Sequence, residues 1–220
     1  MIGIMPTEGI DSAPRARLVT VCDMAERLIV LAVYVTLVAR LIAAASQPGH
    51  GANLLLIPSE GLVVVFLLLR RRTEQISLRW QDWLLALAAT VSPMLVEPGV
   101  SLDKALVPVS VGATLLIMGT IVQVHAKLTL GRSFGCVAAH RGLKLAGPYR
   151  FVRHPMYAGY LLGHVAFLLM NPTLWNVGAY AVCYALQIPR LIAEERLLAN
   201  DQEYREYQAT VKYRLIPGIF

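Results

Sequence analysis

The stretch from residue 155 to residue 193 reads PMYAGYLLGHVAFLLM (155–170), NPT (171–173) and LWNVGAYAVCYALQIPRLIA (174–193). Each flank is an apolar run close to the roughly 17–25 residues a helix needs to cross hydrocarbon. Asn171-Pro172-Thr173 is a turn signal, so the two runs read as a tight helical hairpin. Neither arm is generous in length, which leaves open whether both insert completely.

Working outward, four further apolar runs lie near Ala25–Ala45, Ala52–Leu69, Trp80–Val96 and Ala105–Ala126. The 220 residues are 56% hydrophobic and only 15% charged, against about a quarter charged in a soluble domain. The sequence therefore predicts an all-α integral membrane protein. It would have five to six transmembrane helices and a C-terminal cytoplasmic amphipathic helix. Residues 1–23 form a short cytoplasmic tail, 24–127 carry the N-terminal spans, and 128–220 hold the region rich in polar and aromatic residues. Glu8 and Asp11 in the tail, without a basic-then-apolar order, read as a polar leader rather than a removable signal.

The net charge of +6 is distributed by loop. Arg15 and Arg17 precede the first span. Arg70, Arg71, Arg72 and Arg79 fill the second connection, and Lys127, Arg132, Arg141, Lys144, Arg150 and Arg153 fill the fourth. The other connections are neutral or weakly acidic. This alternation places both termini in the cytoplasm, and it argues against a nucleic-acid partner. Cys22, Cys136 and Cys183 make neither a disulfide framework nor a metal spacing. Asp23, Glu26 and Arg27 read as anchors at the mouth of the first span.

No dinucleotide fingerprint, phosphate loop or nucleophile elbow is present. Gly159 and Gly163 form a Gly-x-x-x-Gly that predicts close helix packing. The densest feature is Gly147-Pro148-Tyr149-Arg150-Phe151-Val152-Arg153-His154-Pro155-Met156-Tyr157. Pro155 suits the first position of a helix and puts His154 at its N-cap. The helix start there favours an anion, and Tyr149 and Tyr157 flank it. Interfacial anchoring explains the same residues equally well. Arg190 and Glu194 are four apart and share a helical face, with Glu195 beside them. A bidentate grip on a carboxylate and a snorkelling Arg both fit. Asn200-x-x-Glu203 resembles a capping box, and Tyr204 and Tyr207 share a face of the helix it opens.

The chain from Leu130 to Pro217 resembles the isoprenylcysteine carboxyl methyltransferase family, within a wider group of membrane-embedded methyltransferases that includes phospholipid N-methyltransferases. The matching pieces are Gly131-Arg132-Ser133-Phe134, Gly147-Pro148-Tyr149, Arg153-His154-Pro155-x-Tyr157, Glu194-Glu195-x-x-Leu198, Tyr204-x-x-Tyr207 and Arg214-x-Ile216-Pro217. Asn200-Asp201 departs from the family's aromatic-Gly. The resemblance implies S-adenosylmethionine as methyl donor, bound near Tyr149, Arg153, His154, Pro155, Tyr157 and Glu195. It also implies a lipophilic acceptor entering from the bilayer, with Arg190 and Glu194 as the polar pair at the reacting centre. A carboxylate acceptor needs no base, whereas an amine acceptor would need one, for which Glu194 is the candidate. Sterol reductases that use NADPH share the Arg-His-Pro-x-Tyr turn, usually with Asn where Met156 stands. A transporter is disfavoured because the polar residues gather at one face.

Overall fold

A computed structural model describes residues 12–45, 57–97 and 104–220. The polar start of the chain, the first connection and most of the third lie outside the described residues. Seven helices carry the architecture. The first, α1 (Ser12–Ala45), tolerates Pro14 because the first turn needs no N–H there. α2 (Ile57–Leu69) runs into Arg70. α3 (Trp80–Val91) gives way to a 3-10 turn over Ser92–Leu95, where Pro93 supplies no amide for continued helix. α4 (Val109–Leu130) follows Pro108 and stops at Gly131, whose φ of 50° is a conformation glycine adopts freely. α5 (Pro155–Met170), α6 (Leu174–Leu198) and the short α7 (Gln202–Thr210) complete the set. A two-residue antiparallel pairing, β1 (Gln75–Ile76) with β2 (Ala139–His140), ties two basic connections together in the register Gln75 to His140.

The fourth expected span is thus displaced toward the C-terminus by Pro108 and Gly131. Among the described residues, Val109–Ser133 is the one segment both long and apolar enough to cross a membrane. α2 and α5 are apolar but shorter, and the expected second span begins at residues 52–56, outside the described set. Large apolar side chains such as Leu28, Ile121 and Leu174 face outward.

The turn at 171–173 is as short as expected, with the Thr173 hydroxyl accepting from the Asn176 amide at 3.0 Å. Its two arms nevertheless choose different partners. α5 packs along α4 and touches α6 little, while α6 packs on α3. The reason is the small-residue seam. A methyl group on Gly119 would stand 2.9 Å from the Gly159 carbonyl and the Gly163 amide, so α4 and α5 approach backbone to backbone. The last helix also starts one residue later than the capping-box reading. Asp201, not Asn200, is the cap, its carboxylate accepting from the Glu203 amide at 2.8 Å.

An ionic network reinforces the apolar packing between the N-terminal helices and the rest. Glu26, fully buried, pairs with Arg70 and with Arg141 (2.7 Å) and accepts from the backbone amides of Cys136 (2.6 Å) and Val137 (3.2 Å). Asp23 pairs with the same two arginines at 3.0 Å each. Asp23 and Glu26 are therefore internal ties between α1 and the 135–141 loop, not the surface anchors expected of a span mouth.

Candidate active site

Adjacent glutamates in the last turns of α6 meet different surroundings. Glu195 is 5% exposed, and its carboxylate meets two arginines and a histidine. Arg153 Nε donates to it at 2.7 Å, His154 Nε2 lies at 3.1 Å, and Arg214 Nε donates at 2.9 Å. Burial alone would raise its pKa. The hydrogen bonds from His154, Arg153 and Arg214 outweigh that and hold it down at about 2. Arg153 also donates to the carbonyls of Val211 (2.8 Å) and Lys212 (2.9 Å), and the amides of Arg153 and His154 bond to the carbonyls of Tyr213 and Arg214. The result is a clamp that fixes the chain after α7 against the start of α5. Pro155 occupies the first position of α5 and is fully buried, with His154 at its N-cap.

Glu194 points elsewhere. It lines a small polar pocket with Tyr149, Arg153, His154, Met156 and Tyr157, which continues toward Lys144, Tyr204 and Tyr207. Its carboxylate has no hydrogen-bond or ion-pair partner among the described residues. α7 roofs this pocket, and the Tyr207 hydroxyl donates to the Tyr149 carbonyl at 2.7 Å. Burial raises the Tyr149 phenol well above its ordinary range, helped by Glu194, and pushes Tyr207 up to about 12.

Met156 and Tyr157 also line a second, larger space of about 310 Å³. Its walls are mostly apolar and come from α1, α2, α3, α4, α5 and α6. Arg190 faces it. That guanidinium is 9% exposed and lies 5.7 Å from the centre of the Tyr157 ring. Its donors reach the Cys136 carbonyl (3.1 Å), the Cys136 sulfur (3.4 Å) and the Gln187 side chain (3.4 Å). No carboxylate pairs with it among the described residues. Glu194 acts on it only through space, and the polar contacts of the guanidinium are all with neutral groups.

Of the eight residues the sequence nominated, Tyr149, Arg153, His154, Tyr157 and Glu194 thus converge on the polar pocket. Arg190 lies across the Met156–Tyr157 wall from Glu194. Glu195 and Pro155 support these groups without lining either space.

A phospholipid methyltransferase family profile matches residues 107–204, the stretch from the start of α4 to α7. Protein-S-isoprenylcysteine O-methyltransferase A of Arabidopsis thaliana is 32% identical over 114 residues, covering 46% of this chain and 55% of the relative. Over its C-terminal part, the chain is similar to protein-S-isoprenylcysteine O-methyltransferases. A probable protein-S-isoprenylcysteine O-methyltransferase of Oryza sativa subsp. indica is 34% identical over 110 residues, covering 46% of this chain and 57% of the relative. The chain spans little more than half the length of these relatives. A solved structure, the eukaryotic intramembrane Ras methyltransferase ICMT without a monobody, aligns over 94% of both chains with 20% identity and a TM-score of 0.46.

The polar pocket suits a cationic ligand, because Glu194 brings a carboxylate without a hydrogen-bond or ion-pair partner among the described residues, while Arg153 is committed to Glu195 and Arg141 to Asp23 and Glu26. Sequence reasoning missed Arg141 and Gln187, since nothing local marks either. It also missed Cys136, which touches Arg190 from the Gly131-Arg132-Ser133-Phe134 side, although that motif lies only two residues away.

Proposed function

We propose that this chain is a membrane-embedded methyltransferase that moves a methyl group from S-adenosylmethionine to the carboxylate of a lipophilic, isoprenylcysteine-like acceptor. The acceptor enters from the bilayer, the outward apolar side chains of the helices face lipid, and the site opens to the cytoplasm. The observation that carries this reading is Arg190, a buried cation hydrogen-bonded only to neutral groups at the edge of an apolar cavity that shares one wall with a polar pocket.

S-adenosylmethionine, when bound, supplies a sulfonium methyl group that a carboxylate oxygen takes in line, giving a methyl ester and a neutral thioether. Glu194 offsets the donor's positive charge, and the free amides in the first turn of α5 suit the donor's own carboxylate. Tyr149, His154 and Tyr157 wall its pocket, while Arg153 and Glu195 hold the roof in place. Arg190 orients the acceptor carboxylate. That group is already ionised, so the chain has to position rather than deprotonate it.

An ammonium head group would meet Arg190 as a like charge, which weighs against amine methylation. A nicotinamide cofactor carries several phosphates and would meet Glu194, with Lys144 the only uncommitted Lys or Arg lining that pocket among the described residues. The test uses the full chain in lipid nanodiscs with radiolabelled S-adenosylmethionine and N-acetyl-S-farnesylcysteine. Label should appear in a base-labile ester. Base-stable label in a phospholipid amine, or binding of NADPH without binding of S-adenosylmethionine, would overturn the proposal.

A further inference from the structure

Four arginines gather at the C-terminal end of α2, and the proposed chemistry uses none of them. Arg27 of α1 donates through Nη2 to the Leu68 carbonyl, and Arg132, just past α4, donates through Nε to the Leu69 carbonyl at 2.8 Å. Arg71 and Arg72 come soon after the helix end, and the Arg71 amide bonds to the Arg132 carbonyl at 2.9 Å. Their neighbour Arg70 turns inward to Asp23 and Glu26. The other four have no carboxylate partner among the described residues, and Arg71, Arg72 and Arg132 are exposed. The next acid along the chain, Glu74, lines a groove with Arg15 and Val19.

Carbonyls at the end of a helix carry partial negative charge and attract cations, which accounts for one donor each of Arg27 and Arg132. A guanidinium has five donors in a planar fork, so most of each fork stays open. Apolar surface begins at the same place. Leu68, Leu69 and Leu128 are each more than half exposed on α2 and α4, two helices that pack together. Exposed leucines ending in unpaired arginines trace the boundary between hydrocarbon and head groups, where lipid phosphate lies. An acidic protein segment would answer the arginines but not the leucines.

We infer that Arg27, Arg71, Arg72 and Arg132 bind the phosphate of an anionic phospholipid whose acyl chains lie along Leu68 and Leu128. The lipid belongs to the leaflet on the polar-pocket side, because Nη1 of Arg71 would stand 3.5 Å from a methyl group added to Gly142 at the rim of that pocket. A zwitterionic lipid brings an ammonium that four cations repel. The inference rests only on the membrane embedding in the proposed function, and neither methyl donor nor acceptor enters it. Basic residues beside a membrane helix also direct its insertion. That role is over once the chain has folded, so lipid retention by the folded protein separates the two.

The test is native mass spectrometry of the full chain released from detergent micelles that hold equal amounts of dioleoyl phosphatidylglycerol and dioleoyl phosphatidylcholine. The wild-type chain should retain the anionic lipid about fivefold or more over the zwitterionic one. Excess inorganic phosphate, added beforehand, should leave that ratio in place, since free phosphate brings no acyl chain. Arg71→Gln/Arg72→Gln and, separately, Arg27→Gln/Arg132→Gln should bring the ratio toward one. Arg150→Gln/Arg205→Gln, which removes two exposed charges elsewhere, should not change it. Equal retention of both lipids by the wild type, displacement by phosphate, an unchanged ratio in both arginine variants, or an equal loss in the control overturns the site. A preference present in the wild type and lost only in the two arginine variants upholds it, whether or not the chain transfers a methyl group.

Discussion

Two ends of α6 chemistry, a few residues apart, treat charge in opposite ways. Around Glu195 the carboxylate accepts from Arg153 and Arg214 and lies beside His154, in a clamp that also binds backbone carbonyls. Around Arg190 the guanidinium hydrogen-bonds only to neutral groups. The first arrangement is closed. In the proposed function, a ligand anion completes the second. The ion pairs hold the chain together, while Arg190 faces the cavity.

The sharpest way to break that contrast is to open the clamp. Glu195→Ala leaves two arginines and a histidine without their carboxylate, and removing one member of a buried pair costs about 3–5 kcal/mol. Thermal unfolding in detergent should show this as a large loss of stability, with the site disrupted as a consequence. Acid does the same more gently. Because the folded pKa of Glu195 is depressed to about 2, its contribution is complete above the unfolded value near 4.3 and is lost as pH falls from there toward 2. In the Glu195→Gln variant this segment of the pH–stability profile should flatten.

Arg190→Leu should behave in the reverse manner. With no ion pair to break, it should lose only its hydrogen bonds to neutral groups, about 1–3 kcal/mol, less than opening the clamp. Loss of a charged hydrogen bond to the acceptor should lower kcat/KM by about a hundredfold, roughly 2.7 kcal/mol. Binding of S-adenosylmethionine, measured by calorimetry, should persist. A large stability loss in this variant would mean that Arg190 belongs with the clamp. The smallest expected effect is that of Tyr207→Phe, which removes the bond to the Tyr149 carbonyl and should cost about 1 kcal/mol in thermal unfolding.

Much of the fold was legible because its signals are local. Pro155 opens α5, the Asn171-Pro172-Thr173 turn separates α5 from α6, and Gly159 and Gly163 pack on α4, all from short patterns. The convergence of Tyr149, Arg153, His154 and Tyr157 was legible for the same reason, since one eleven-residue segment carries them. The distinct environments of Glu194 and Glu195 were not. Successive helical residues point about 100° apart, and which one faces the pocket depends on how α6 rotates against its neighbours. The ties from Glu26 to Arg70 and Arg141 were hidden too. They join residues 44 and 115 positions apart, beyond any window of periodicity. The cavity itself has no sequence signature, because six helices wall it.

The double pairing of Glu26 has a consequence for biosynthesis. A chain made from its N-terminus presents Arg70 to α1 well before Arg141 exists, so the acid is neutralised early by a near neighbour and its second partner arrives only with the loop that touches Arg190. The first helices then form a dock, and the segment around Arg141, synthesised later, finds its place by completing a charge balance already half made.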